Sequence, residues 1–369
     1  MLPEALRRAA EILERGTREV NPGVPEFGDP RYLPVPFNAS GFHAIPETEP
    51  SSCVGYVDGG NQEIFHSPDL SVQLVRVCSV LFRGGERVRE RVFPAIVEFV
   101  SVARAGVEGE DISYSAELIP LDPPFEPFLL DSGSLVFSSC DSSLTNRGFR
   151  ADISVVGAAA RRFAEWVVLS KIIEEELRPG DIAVRDGTLQ TAVRNEASSA
   201  RRAFEAALER GVTLAALAKT STLFTSTGMS LMAAIEELSH SCGVGSECWY
   251  YHPIVQNNHP EHRAEIFACR LHKSSKHVFR AEILREQAKN MSTAEVSRVF
   301  AELRGGSRDL SFPGYPYGLV EADRMARVAR GEAEVLRALL ASALGELGAW
   351  ERLRRRQSAT DAHEILDLI

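Results

Sequence analysis

Residues Ser154–Leu177 (SVVGAAARRFAEWVVLSKIIEEEL) carry a long unbroken helical signal, and Arg178-Pro179-Gly180 closes it. Apolar residues fall on nearly every side of this helix, so cover is needed on more than one face. The flanking sequence can supply it. Strand signals precede the helix at Cys53–Val57, Leu70–Phe82, Val92–Val102 and Ile112–Ile119, followed by the breaker LIPLDPPFEP. After it come a short strand (Ile182–Arg185), a helix (Ala192–Arg210, stopped by Gly211) and another strand (Thr213–Ala218). Early antiparallel strands followed by strand–helix–strand units predict an α/β protein with a mixed sheet flanked by helices.

The remaining chain is less regular. Residues 1–17 read as an amphipathic helix and 18–50 as a Pro- and Gly-rich connector. A helix is expected at about 228–239, a hairpin from Glu265–His272 and His277–Ile283, and a last long helix from about Leu319 to Leu347. This divides the chain into an N-terminal helix and connector (1–50), a main domain (51–347) and a tail (348–369). Within the main domain, residues 51–219 and the helix at 319–347 make the core, and about 220–310 an inserted β/loop region. A length of 369 residues is ample for such a core. No run of ~18 uncharged apolar residues is present, which excludes a spanning helix. The N-terminus lacks an apolar signal core, so a cytoplasmic protein is expected. A net charge of −10 excludes a bulk-basic nucleic-acid binder, though not a local basic groove.

Two segments, CVGYVDGGNQEI and DIAVRDGTLQ, run an apolar strand into Asp-Gly, at Asp58 and Asp186. Asp-Gly is a common turn dipeptide. Two such corners on parallel strands, however, would share the sheet edge where α/β proteins build their sites. Carboxylates gathered there repel unless a divalent cation lies between them, and Mg²⁺ or Mn²⁺ suits all-oxygen ligands. A further carboxylate is expected from the long helix, Glu165 or Glu174. The strand climbs ~17 Å to Asp186, and Glu165 lies ~18 Å above the helix end against ~4.5 Å for Glu174. Height favours Glu165. Against it, Glu174 shares the face of Phe163, Val167 and Val156, while Glu165 lies opposite.

VDGG after the first strand, RRFAE on the helix, VRDGTL, LAKTS and YPYGLVEADRMARV together resemble the NurA family, over roughly residues 50–335. The resemblance implies a ribonuclease-H-like core and a metal-dependent DNA nuclease, acting as 5′→3′ exonuclease and single-strand endonuclease in double-strand-break end resection. It implies Mn²⁺ (or Mg²⁺), two ions, a homodimer, and docking on a HerA-type hexameric ATPase. Matched position by position, Asp58, Glu165 and Asp186 are its acidic metal ligands, Tyr315 its tyrosine before the last helix, and Lys219 a lysine that contacts phosphate. Asp323 falls where many members have histidine, and would join the metal ligands.

Two basic clusters are candidate DNA contacts. One surrounds the hairpin, with Arg270, Lys273, Lys276 and Arg280 at its centre; the other is Arg76, Arg83, Arg87, Arg89 and Arg91. His240, Cys242, Cys248 and His252 contain zinc-binding atoms, but five residues between the cysteines fit no common zinc knuckle, so a structured loop is expected. The competing function is a non-catalytic DNA-end-binding or ATPase-docking subunit of the same fold. An actin-like ATPase would need a later Gly-rich phosphate loop after a strand, and RGGSRD and STGMS do not follow strands.

Overall fold

The structure is a computed structural model that describes residues 3–17, 21–109, 111–145 and 149–358. The last part of the 348–369 tail lies outside them. At its centre is a 12-stranded mixed sheet. Two long hairpins form one half: β1 (Cys53–Ser67) with β2 (Leu70–Arg83), and β3 (Ile96–Glu108) with β4 (Asp111–Pro120), all antiparallel in the order β1-β2-β3-β4. The chain then crosses by helix α1 (Val155–Glu175) to β5 (Ile182–Asp186), parallel to β1, and by α2 (Glu196–Arg210) to β6 (Thr213–Ala218), parallel to β5. Beyond β6 the sheet continues antiparallel through β9 (Phe279–Leu284), β8 (Ala264–Arg270) and β7 (Trp249–Tyr251). The region expected as an insertion therefore extends the same sheet. A further helix, Glu4–Thr17, precedes the sheet and is exposed along its described length.

The two faces of the sheet are covered by different helices. Residues of one parity (Cys53, Val57, Ala183, Leu214, Ala216) pack with Phe163, Trp166, Leu169 and Ile172 of α1 and with Phe204 of α2. Those of the other parity (Val54, Tyr56, Ile182, Val184, Ala215, Leu217) pack with Val299, Phe300 and Leu303 of α3 (Thr293–Gly305) and with Leu319 and Ala322 of α4 (Tyr317–Ala326). Both clusters follow from the two-residue period of a strand. Helix α3 was not anticipated from the sequence. Its signal is a capping box: the Ser292 hydroxyl accepts from the Glu295 N–H while the Glu295 carboxylate accepts from the Ser292 N–H, just ahead of Val296, Val299 and Phe300.

Two expectations are corrected. Asp58-Gly59 is not a turn, because β1 runs straight through it, with Asp58 opposite Cys78, Gly59 opposite Val77 and Gly60 opposite Arg76. The glycines serve close approach instead. A Cβ on Gly59 would meet Glu165 Oε1 at 2.7 Å, and one on Gly60 would meet the Ala326 carbonyl oxygen at 2.3 Å. At the second corner the expectation is met: β5 ends at Asp186, and Gly187 takes φ +103°. Likewise the last helix is two, α4 and α5 (Arg330–Glu346). The Arg327 carbonyl accepts from Arg76 Nη1 at 3.0 Å rather than continuing a helical ladder, and Val328 is buried with Ile64 and Leu74.

Because the Gly60 contact is with backbone, Gly60→Ala should cost about 1–3 kcal/mol of stability and shift the end of α4. Urea melts alongside DNA-cleavage rates would register both effects; an unchanged midpoint would show that α4 tolerates the displacement.

Candidate metal centre

Register places the first two carboxylates. The parallel pairing of β5 with β1 runs to Arg185 opposite Val57, so the next residues, Asp186 and Asp58, lie side by side with the same parity. On the other side of β5, Asp186 is paired with Leu217, two residues before Lys219. Asp58, Asp186 and Lys219 thus point to the sheet face covered by α3 and α4. Helix α4 brings Asp323 onto that face beside its buried Leu319 and Ala322. Oxygens of Asp58, Asp186 and Asp323 lie within 4.8 Å of one another, the only grouping of three or more metal-capable side chains among the described residues.

Lys219 sits among them. Its Nζ is 2.6 Å from Asp186 Oδ2, 2.7 Å from Asp323 Oδ1 and 3.6 Å from Asp58 Oδ2. Tyr315, fully buried against Phe312 and Phe279, donates its hydroxyl to Asp186 Oδ1 at 3.2 Å. The Gly59 N–H donates to Asp58 Oδ1 at 2.7 Å. Burial and then the charge of Asp186 push the Asp58 carboxyl up to about 8, with Glu165 adding to the repulsion and Lys219 opposing it. Burial lowers the affinity of Lys219 for its proton, but Asp186, Asp323 and Asp58 more than reverse this and raise it above the ordinary lysine value.

Glu165 reaches the same level but on the opposite face. Its Oε1 is bound by Arg161 Nη1 and its Oε2 by Arg185 Nη2, each at 2.5 Å. Arg185, adjacent to Asp186 but of opposite parity, is buried against the Trp166 ring at 4.5 Å. Glu174 lies in the last turn of α1, half-buried and paired with Arg202 at 2.9 Å. Of the two glutamates, Glu165 thus stands at the height of Asp186 and lines the cleft, as its position along the helix predicts, while Glu174 does not.

β1 continues past Asp58 while β5 and β6 stop, and the step opens a cleft of about 600 Å³. Asp58, Glu165, Asp186, Lys219 and Asp323 line it together with Arg161, Arg162, Asn61, Thr188 and Arg327. These additional residues had legible signals. Arg161 stands four residues before Glu165 on one helix face, and Arg185 is a charge inside an otherwise apolar strand, which demands a buried partner.

The expected DNA-binding cluster does not form a basic channel. β8 and β9 are interior strands, so Arg270 and Arg280 are buried and paired, with Glu236 at 3.4 Å and Glu282 at 2.5 Å. Lys273 pairs with Glu247 at 2.8 Å, and Lys276 is exposed on the turn. In the second cluster Arg76 is held by Glu98 and Glu332, Arg87 by Glu321 and Arg91 by Glu176. The zinc-type loop disperses its ligands: Cys248 is buried in the core and His252 stacks on Phe267 beside Glu265.

Three hard oxygen donors gathered around a positive charge fit a divalent cation, since the centre is already arranged for one. The fold and site thus define a mixed α/β protein with a carboxylate centre at the ends of parallel strands. The family model for the NurA domain matches residues 84–328, well over half of the chain. The crystal structure of the NurA nuclease from Sulfolobus solfataricus is similar, with a TM-score of 0.51 at 14% identity, covering 94% of this chain and 96% of that one. A second NurA crystal structure gives a TM-score of 0.48 at 8% identity, over 96% of this chain and 100% of that one. No curated protein matches the sequence significantly. The chain belongs to the NurA family, a nuclease family. Glu165, Asp186, Lys219, Tyr315 and Asp323 fall inside the matched span, and Asp58 precedes it.

Proposed function

We propose that this protein is a divalent-metal-dependent nuclease that hydrolyses DNA phosphodiester bonds at the Asp58–Asp186–Asp323 centre. The observation that carries the reading is the convergence of these three carboxylates with Lys219 and Tyr315, on one sheet face, in a chain of this family. The strand order β3-β2-β1-β5-β6, with β5 and β6 parallel to β1, supports a ribonuclease-H-like core.

Asp58, Asp186 and Asp323 would hold Mn²⁺ or Mg²⁺, with two ions in this reading. Bound ions supply the Lewis acidity that generates the attacking hydroxide and stabilises the leaving 3′ oxygen. The protein's own groups do the rest. Tyr315 fixes the orientation of Asp186 through its hydroxyl. Lys219, Arg161 and Arg327, which line the cleft, give it positive charge for the scissile phosphate. Glu165 completes the ligand set in this reading; of its two partners Arg161 is the more exposed, with 29% of its side chain accessible, and is the one able to yield.

Exonuclease action with 5′→3′ polarity, single-strand endonuclease action, a homodimer and a HerA-type hexameric partner in end resection extend the same proposal. Duplex DNA labelled separately at its 5′ and 3′ ends separates these elements. Early release of 5′-terminal nucleotides, with intact 3′-labelled strands shortening progressively, is the expected pattern, and cleavage of circular single strands reports the endonuclease. Shortening from the 3′ end first would reverse the polarity.

A further inference from the structure

The Lys219 ammonium occupies the space the carboxylates enclose. It is within hydrogen-bonding distance of Asp186 and Asp323 and 3.6 Å from Asp58, and these are the three residues whose oxygens cluster within 4.8 Å. A divalent ion coordinated by the same oxygens would need that space. Two cations there would repel strongly, because the site is partly shielded from water. Resting on the metal-dependent reading above, we propose that Lys219 is an internal counter-ion: it holds the three carboxylates together in the metal-free protein and is expelled into the cleft when the divalent ion enters.

The local structure permits this exchange. Lys219 is the first residue after β6, so it has left the strand ladder. Its side chain is 36% accessible, and its flexible four-carbon stem can swing without moving the backbone. The cleft beside it, about 600 Å³ and lined by Thr188, Thr220 and Arg327, has room for the displaced ammonium. While Lys219 neutralises carboxylates, its charge is committed. Once displaced, the same charge faces the cleft, where a DNA phosphate would lie. Metal binding therefore switches on phosphate attraction, and the order of assembly is metal first, DNA second.

The sign of one effect separates this role from two simpler ones. A lysine that only contacts phosphate leaves metal affinity without DNA unchanged. A lysine that organises the ligands strengthens metal binding, so removing it weakens affinity. A counter-ion competes with the metal, so removing it tightens binding. Calorimetric titration of Mn²⁺ into the EDTA-treated, DNA-free protein tests this on wild type and Lys219→Met. The expected result is at least a tenfold lower Kd for the variant. Equal or weaker binding by the variant, with wild type still binding Mn²⁺, overturns the counter-ion role and leaves the metal centre standing. No Mn²⁺ binding by either protein overturns the metal-centre reading and this inference with it. Should Lys219→Met not fold, amine acetylation of wild type, read by mass spectrometry, gives the answer. Labelling of Lys219 is expected to rise severalfold on saturation with Mn²⁺, and unchanged or reduced labelling overturns the proposal.

Discussion

Asp58→Asn should abolish DNA cleavage and, in the absence of metal, make the protein more stable. The loss of activity follows from removing one of three carboxylates available to the metal. Lewis-acid stabilisation is worth several kcal/mol of barrier, so a fall of at least about 10³-fold is expected. The gain in stability follows from the same crowding. Burial and Asp186 push the Asp58 carboxyl from its ordinary 3.8 up to about 8, so folding costs free energy wherever the unfolded chain would carry that charge. The sign is fixed by linkage. Below about pH 3.8 the group is protonated in both states and nothing is lost; the cost grows as pH rises and levels off above about 8. The asparagine variant escapes it. Its advantage should therefore widen as pH rises from 4.5 to 8 and then level off. Denaturant melts in EDTA across that range measure it. A variant less stable than wild type at every pH would mean that Asp58 is held mainly by favourable contacts.

Glu165→Ala should cost far more than Glu174→Ala, in stability as well as activity. Glu165 is almost fully buried, and its removal leaves the equally buried Arg185 guanidinium without its carboxylate. Breaking one side of a buried pair typically costs about 3–5 kcal/mol. Glu174 pairs with Arg202, whose side chain is 57% accessible, and exposed pairs contribute about 0–1 kcal/mol. Glu165→Gln discriminates between roles. It keeps hydrogen bonds to both arginines but weakens metal ligation, so a well-folded Gln variant with severely reduced cleavage supports Glu165 as a ligand. A Gln variant of near-normal activity would confine Glu165 to holding Arg161 and Arg185. Equal losses for the two alanine variants would refute the height argument.

The elements most legible from sequence were those whose pattern is local. Helix α1 and its Pro-Gly stop, the alternation along β2, and the Asp186-Gly187 corner all appear where period and turn chemistry placed them. Asp58-Gly59 reads the same way in sequence, yet it runs extended, because a glycine needed for packing against Glu165 is indistinguishable there from one needed for a turn. At the break between α4 and α5 the Arg327 carbonyl is taken by Arg76, some 250 residues earlier. No local pattern encodes that. The basic hairpin misled for a related reason: charge in sequence says nothing about whether a strand is interior, and here Glu236 and Glu282 consume the arginines. Asp58, Asp186, Lys219, Tyr315 and Asp323, each named at the level of sequence and resemblance, come together in the structure, whereas the position of Glu165 across the sheet from them has no local sequence signal.

The most direct test of the central claim is cleavage of labelled single- and double-stranded DNA in Mn²⁺, Mg²⁺ or EDTA, with wild type beside Asp186→Asn. Asp186 contacts both Lys219 and Tyr315 and lies beside Asp58. Wild type is expected to cleave with Mn²⁺ and not in EDTA, and the folded variant to cleave in no metal. Metal-independent cleavage, or full activity in Asp186→Asn, would contradict the proposed centre. A folded wild type that binds DNA but cuts under no metal, even with a translocase and ATP, would instead make this a docking or end-binding subunit.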